Sequence, residues 1–118
     1  MKKGEILQGK KRNRKAAYHY MVYLEGNNDG SFVAAVLTHS AKQDNIPMKE
    51  DHFKDANGDG KKYKFNFDNT FLVGRRFIKP KEWAPYLKIG ELTEEGIKFV
   101  ESMVNDKNPL FWDDYITQ

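Results

Sequence analysis

The stretch YHYMVYLEGNNDGSFVAAVLTHS, residues 18–40, constrains the fold of this chain more than any other. Two apolar runs rich in branched and aromatic residues flank Asn27, Asn28, Asp29, Gly30 and Ser31, all turn formers. Branched and aromatic side chains suit a pleated surface, and Asn, Asp and Gly accept the backbone angles of a tight reversal. The pattern therefore predicts a β-hairpin. Its second run ends in Thr38, His39 and Ser40, three side chains that can exchange protons or attack an electrophile. They either form a site at a strand end or merely stop the strand.

The same grammar recurs along the chain. GEILQG (4–9), KYKFNF (62–67) and TFLVGRRFIKP (70–80) read as further strands, with Tyr63, Phe65 and Phe67 alternating onto one face. LTEEGIKFVESMVND (92–106) is the one convincing helix. Thr93 is a good N-cap, Glu94 and Glu95 favour the positive end, and Ile97, Val100 and Val104 recur at helical spacing. About five short strands and one late helix predict a mainly β fold (β-rich α+β), a small, partly open barrel closed by the helix. At 118 residues the chain is long enough for one core, so 1–118 reads as a single domain. The tail from Asn108 is apolar enough to pack on the barrel or on a partner.

Composition removes several functions. Without cysteine there is no disulfide framework, no thiolate nucleophile and no cysteine zinc site, which fits a reducing cytosol. No apolar run approaches the roughly 18 residues a membrane span needs, and MKKGEILQGKK has no apolar signal core, so the expected location is cytoplasmic with no membrane partner. No phosphate-binding glycine loop or dinucleotide fingerprint is present, and no cofactor is expected. The net charge of +3 is unevenly spread: residues 1 to 15 hold seven cations and only Glu5 as an anion. Such a cluster is either a solvated basic loop or the footprint of a polyanion.

DANGDG (55–60) imitates the first half of a calcium loop through Asp55, Asn57, Asp59 and Gly60. Position twelve is Asn66 rather than a glutamate, so the segment reads as a turn. The histidines, His19, His39 and His52, lack metal-ligand spacing, and no metal site is expected. The hairpin couples two of them. A loop near 26–30 sets His19 opposite residue 37, 38 or 39: an even register puts it on one face with His39, an odd one with Thr38 and Ser40. Either way an imidazole stands beside a polar strand end, compatible with acid–base chemistry. Arg75 and Arg76, adjacent on a strand, should point to opposite faces, one to solvent or a ligand and the other to a sheet edge or ion pair.

The order of these pieces resembles the PemK/MazF family of toxin endoribonucleases, small SH3-like barrels of toxin–antitoxin systems. KKGEI looks like the family's opening strand, followed by a basic loop, and HYMVYL like its next strand. AAVLTHS resembles the strand ending in an aliphatic residue and threonine. KIGELTEEGIKFVESMV is similar to the closing turn and helix. The resemblance covers roughly residues 3 to 104. It implies metal-independent cleavage of single-stranded RNA by attack of a 2′-OH on the adjacent phosphate, in a homodimer neutralised by a small acidic antitoxin. Thr38 matches the catalytic threonine, and His19 falls where the family carries its catalytic arginine. Arg76, or Arg75, lies near the strand-end arginine, and the loop with Arg12, Arg14 and Lys15 corresponds to the one flanking the RNA groove. Histidine cannot hold phosphate as a permanently charged fork. Either the chemistry is redistributed, with His19 or His39 as base, Ser40 nearby and Arg12, Arg14 or Arg76 as clamp, or the barrel binds nucleic acid or protein without cleaving.

Overall fold

A computed structural model describes residues 1–9, 19–41, 44–63, 65, 68–80, 85–105, 108–111 and 114–115. In chain order the elements are β1 (Glu5–Gly9), β2 (His19–Gly26), β3 (Phe32–Thr38), β4 (Ile46–Pro47), a 3-10 turn (Glu50–His52), β5 (Phe71–Lys79), β6 (Leu87–Glu91), α1 (Glu94–Val104) and β7 (Leu110–Phe111). They form one sheet in the order β4-β5-β3-β2-β1-β6, antiparallel throughout, with β7 added in parallel to β5. The edges β4 and β6 do not pair, so the barrel is open, as expected for a β-rich α+β fold.

The hairpin predicted over 18–40 is β2 and β3. Its turn is tied by Asn27 N–H to the Ser31 carbonyl (2.9 Å) and by the Asp29 carboxylate, which accepts from both the Ser31 amide and its hydroxyl. Register shifts at Tyr23/Glu25, at Ala35/Leu37 and, in β1, at Ile6/Leu7 bend the long strands. Bending lets one face enclose a core of Ile6, Val22, Leu24, Val33, Ala35, Leu37 and Leu72. Ile46 and Ile89 join it from the two edge strands, and Val100 and Val104 come from α1. The opposite face carries a second layer, Leu7, Met21, Phe32 and Ala34, and a third group, Val36, Val73 and Phe77.

The helix starts where the sequence places it: the Thr93 hydroxyl oxygen accepts from the Gly96 amide at 3.1 Å. The expected strand at 62–67 is not formed at its described residues. Lys62 makes only an isolated bridge to Ala56, and Tyr63 and Phe65 lie outside any strand. The alternation is real but serves side chains rather than a ladder: the Phe65 ring packs on Tyr20 and Phe53, while the Tyr63 hydroxyl reaches Glu91. Phe67 lies outside the described residues. Conversely, β6 was not expected. β1 supplies its hydrogen bonds, Ile6 pairing with Gly90 and Gln8 with Leu87. The DANGDG segment is a turn, with Gly60 at φ +83° and the Asn57 side-chain oxygen accepting from the amides of Asp59 and Lys61. The tail packs on the barrel: β7 pairs with β5 and the Tyr115 ring meets Phe77 edge-on.

His52 is structural. It is buried, its ring stacks on Phe99 at 4.4 Å between centroids, and its Nδ1 accepts from the Lys49 amide at 3.0 Å. Burial disfavours the imidazolium and pushes its pKa below the ordinary value, helped by Lys49 and opposed by Glu95 and Asp51. A depressed folded pKa makes this stabilisation complete above roughly pH 6.5 and lost as pH falls through the folded value. The urea midpoint should therefore drop between about pH 7 and pH 5, and His52→Gln should shrink that drop. An equal drop in the variant would assign the pH dependence to the carboxylates instead.

Candidate functional site

The polar end of the hairpin is built by register. Tyr20 pairs with Leu37 and Met21 with Val36, so the next step along the ladder sets His19 across from Thr38. This is the odd register, and it places His19 and Thr38 on the face opposite the core. β3 stops at Thr38. Its hydroxyl oxygen accepts from the Ser40 amide at 3.2 Å, which leaves the hydroxyl proton for another acceptor. Ser40 is exposed and its carbonyl is held by the Asn45 side chain.

The two histidines beside Thr38 have different partners. Nδ1 of the exposed His39 lies 3.2 Å from the Asn69 carbonyl oxygen. A carbonyl only accepts, so that nitrogen carries the proton and Nε2 presents a lone pair. Nδ1 of His19 lies 3.1 Å from the Lys79 ammonium nitrogen. An ammonium only donates, so Nδ1 accepts and the ring proton sits on Nε2. In these tautomers Nε2 of His39 is an acceptor and Nε2 of His19 a donor.

Lys79 went unnoticed in the sequence. Its 0% exposure is exceptional for a lysine. It shares a face with Phe77, so a cation two residues along from an inward aromatic was the available signal. The Tyr86 ring spans the same stretch of this face: it lies against Gly9, the partner of His19, and 4.8 Å from Phe32, the partner of Lys79.

The arginines divide as strand alternation requires. Arg76 pairs with Ala35 and lines a cleft of about 280 Å³ with Lys3, Glu25, Glu101 and Asn105 on the core side. Thr38 pairs with Phe71 on the same strand, roughly 15 Å away along β5, so Arg76 and Thr38 do not converge. Arg75 turns to the other face, its buried Nε without a hydrogen-bond partner among the described residues. Arg12, Arg14 and Lys15 lie outside the described residues. Their anchors are nevertheless fixed, because Gly9 and His19 are register partners.

Among the described residues no group of three or more histidine or carboxylate side chains could hold a metal ion, and no helix is long and apolar enough to cross a membrane. The described residues define a β-rich α+β fold whose sheet is not closed, with His19 and Thr38 across from each other at one end of its hairpin. No protein-family model matches the chain, and no curated protein or solved structure matches it significantly.

Proposed function

We propose that the chain is a metal-independent endoribonuclease acting on single-stranded RNA, a toxin of the PemK/MazF kind. The observation that carries this reading is the odd register of the hairpin, which sets His19 across from Thr38, with His39 the next residue along the strand end. Nε2 of His39 takes the proton of a 2′-OH, and the 2′-oxygen attacks the adjacent phosphorus. The Thr38 hydroxyl and the cations of the β1–β2 connection, Arg12, Arg14 and Lys15, hold the phosphoryl oxygens. The 5′-oxygen leaves with the proton from His19 Nε2, while the Lys79 ammonium passes a proton to Nδ1. The products are a 2′,3′-cyclic phosphate and a 5′-hydroxyl; water then takes the His39 proton and protonates His19 Nε2, whose Nδ1 proton returns to the buried Lys79. In this scheme Lys79 supplies the positive charge that a histidine in place of arginine lacks. The seven cations of the first fifteen residues suit a small acidic antitoxin that would cover the groove of a cytoplasmic homodimer.

A second reading has its own support. Arg76 faces Glu25 and Glu101 rather than Thr38, as in a barrel that holds nucleic acid or protein without cutting. Incubation with a long single-stranded RNA in EDTA separates the two. Cleavage that falls roughly a hundredfold or more in His39→Ala, and clearly in Thr38→Ala, is the expected result. Salt-sensitive binding with intact RNA would favour the binding barrel.

A further inference from the structure

A second cluster lies at the β1–β6 edge, on the segment Lys61–Phe65, which the proposed chemistry does not use. The Tyr63 hydroxyl donates to Glu91 at 2.7 Å, which fixes the ring. Burial, and then the Glu91 carboxylate, raise the Tyr63 pKa, so the ring stays a neutral phenol. Glu91 also takes Lys88 at 3.2 Å, and Lys88 reaches Glu5 at 3.1 Å. The Tyr63 bond, ahead of these cations, holds the Glu91 carboxyl below its usual range despite burial.

The pinned ring borders two clefts. One, of about 330 Å³, includes Phe53, Phe65 and the Asp55 carboxylate. The other, of about 300 Å³, is lined by Asn57, Lys61, Lys62, Tyr63, Lys88 and Ile89, with no carboxylate among the described residues of its wall. Lys88 is neutralised there by its two glutamates. Lys61 and Lys62 are exposed, and neither has an ion-pair partner among the described residues. A fixed aromatic ring and an aliphatic side chain lining one cleft, with two ammonium groups unpaired among the described residues, match a planar base carrying a phosphate.

We propose that this cleft binds a nucleotide, the base stacked on Tyr63 against Ile89 and the phosphate held by Lys61 and Lys62. The ligand is either a free mononucleotide or one nucleotide of a single strand, both sharing this chemistry. The site is independent of the His19–Thr38 step and of cleavage there.

The test is amide and side-chain NMR of the full chain, titrated with adenosine 5′-monophosphate, with a short oligoadenylate and with inorganic phosphate. Both nucleotide probes, or the oligoadenylate alone if the natural source is a strand, should perturb Tyr63, Lys62 and Ile89, whether or not the strand also reaches Thr38. Tyr63→Ala should weaken that binding about tenfold or more. Tyr63→Phe keeps the ring and should retain most of it. Lys61→Gln with Lys62→Gln, both exposed and so compatible with folding, should weaken it and flatten its salt dependence. No perturbation at Tyr63 by either nucleotide would overturn the proposal. So would phosphate binding as tightly as the mononucleotide, or a folded double-lysine variant that binds unchanged.

Discussion

Replacing Gly96 with alanine should destabilise the protein by roughly 3 kcal/mol, although in an open helix the same change stabilises by about 1 kcal/mol. The reversal comes from one contact. The first turn of α1 is seated on the 3-10 turn: the Thr93 amide donates to the His52 carbonyl at 2.9 Å, and the Thr93 hydroxyl donates to the Asp51 carbonyl at 2.7 Å. A Cβ on Gly96 would overlap the His52 carbonyl oxygen, which is backbone and cannot rotate aside. The helix must lift or the turn must break, and Val100 and Val104, both fully buried, lift with it. Chemical denaturation of Gly96→Ala measures the effect. A variant as stable as the parent would mean that the helix sits further from the 3-10 turn.

Removing His19 should slow RNA cleavage by roughly a hundred- to ten-thousand-fold with the fold intact. It is half-buried at the start of β2, and its loss removes one ring without opening the core. Lys79→Met should mimic that loss while leaving stability unchanged or higher, because an apolar side chain of similar length avoids the cost of burying an ammonium. Activity and stability thus move apart, which a merely structural lysine would not produce. Nitrogen-15 NMR adds a readout apart from activity. His19 in the parent should show its proton on Nε2, and Lys79→Met should release that preference while His39 keeps its proton on Nδ1. A tautomer at His19 indifferent to Lys79 would remove the lysine from the mechanism.

How much of this was legible beforehand follows the range of the interactions. The β2–β3 hairpin, the Thr93 cap and the DANGDG turn are local, and their residues announce them. β6 is not local: LKIGE carries little strand preference and becomes a strand because β1 lies beside it. The alternation at 62–67 predicted a ladder, but Tyr63 is spent on Glu91 and Phe65 on Tyr20. At the candidate site, the end of β3 at Thr38 was readable from the polar residues that follow Leu37. The hairpin register was open between even and odd, because a single bulge flips the parity. Lys79 was hidden for a different reason. Its partner is sixty residues away in sequence, and only the assembled sheet brings Nζ to His19.

The central claim is that the His19–Thr38 end of the barrel drives attack of a 2′-hydroxyl on RNA. It is tested most directly with two oligonucleotides of one sequence, one all-RNA and one 2′-deoxy throughout, incubated with the protein in EDTA. The account predicts that only the RNA is cut, leaving 2′,3′-cyclic phosphate ends. An intact RNA strand, or equal cutting of both, would contradict it.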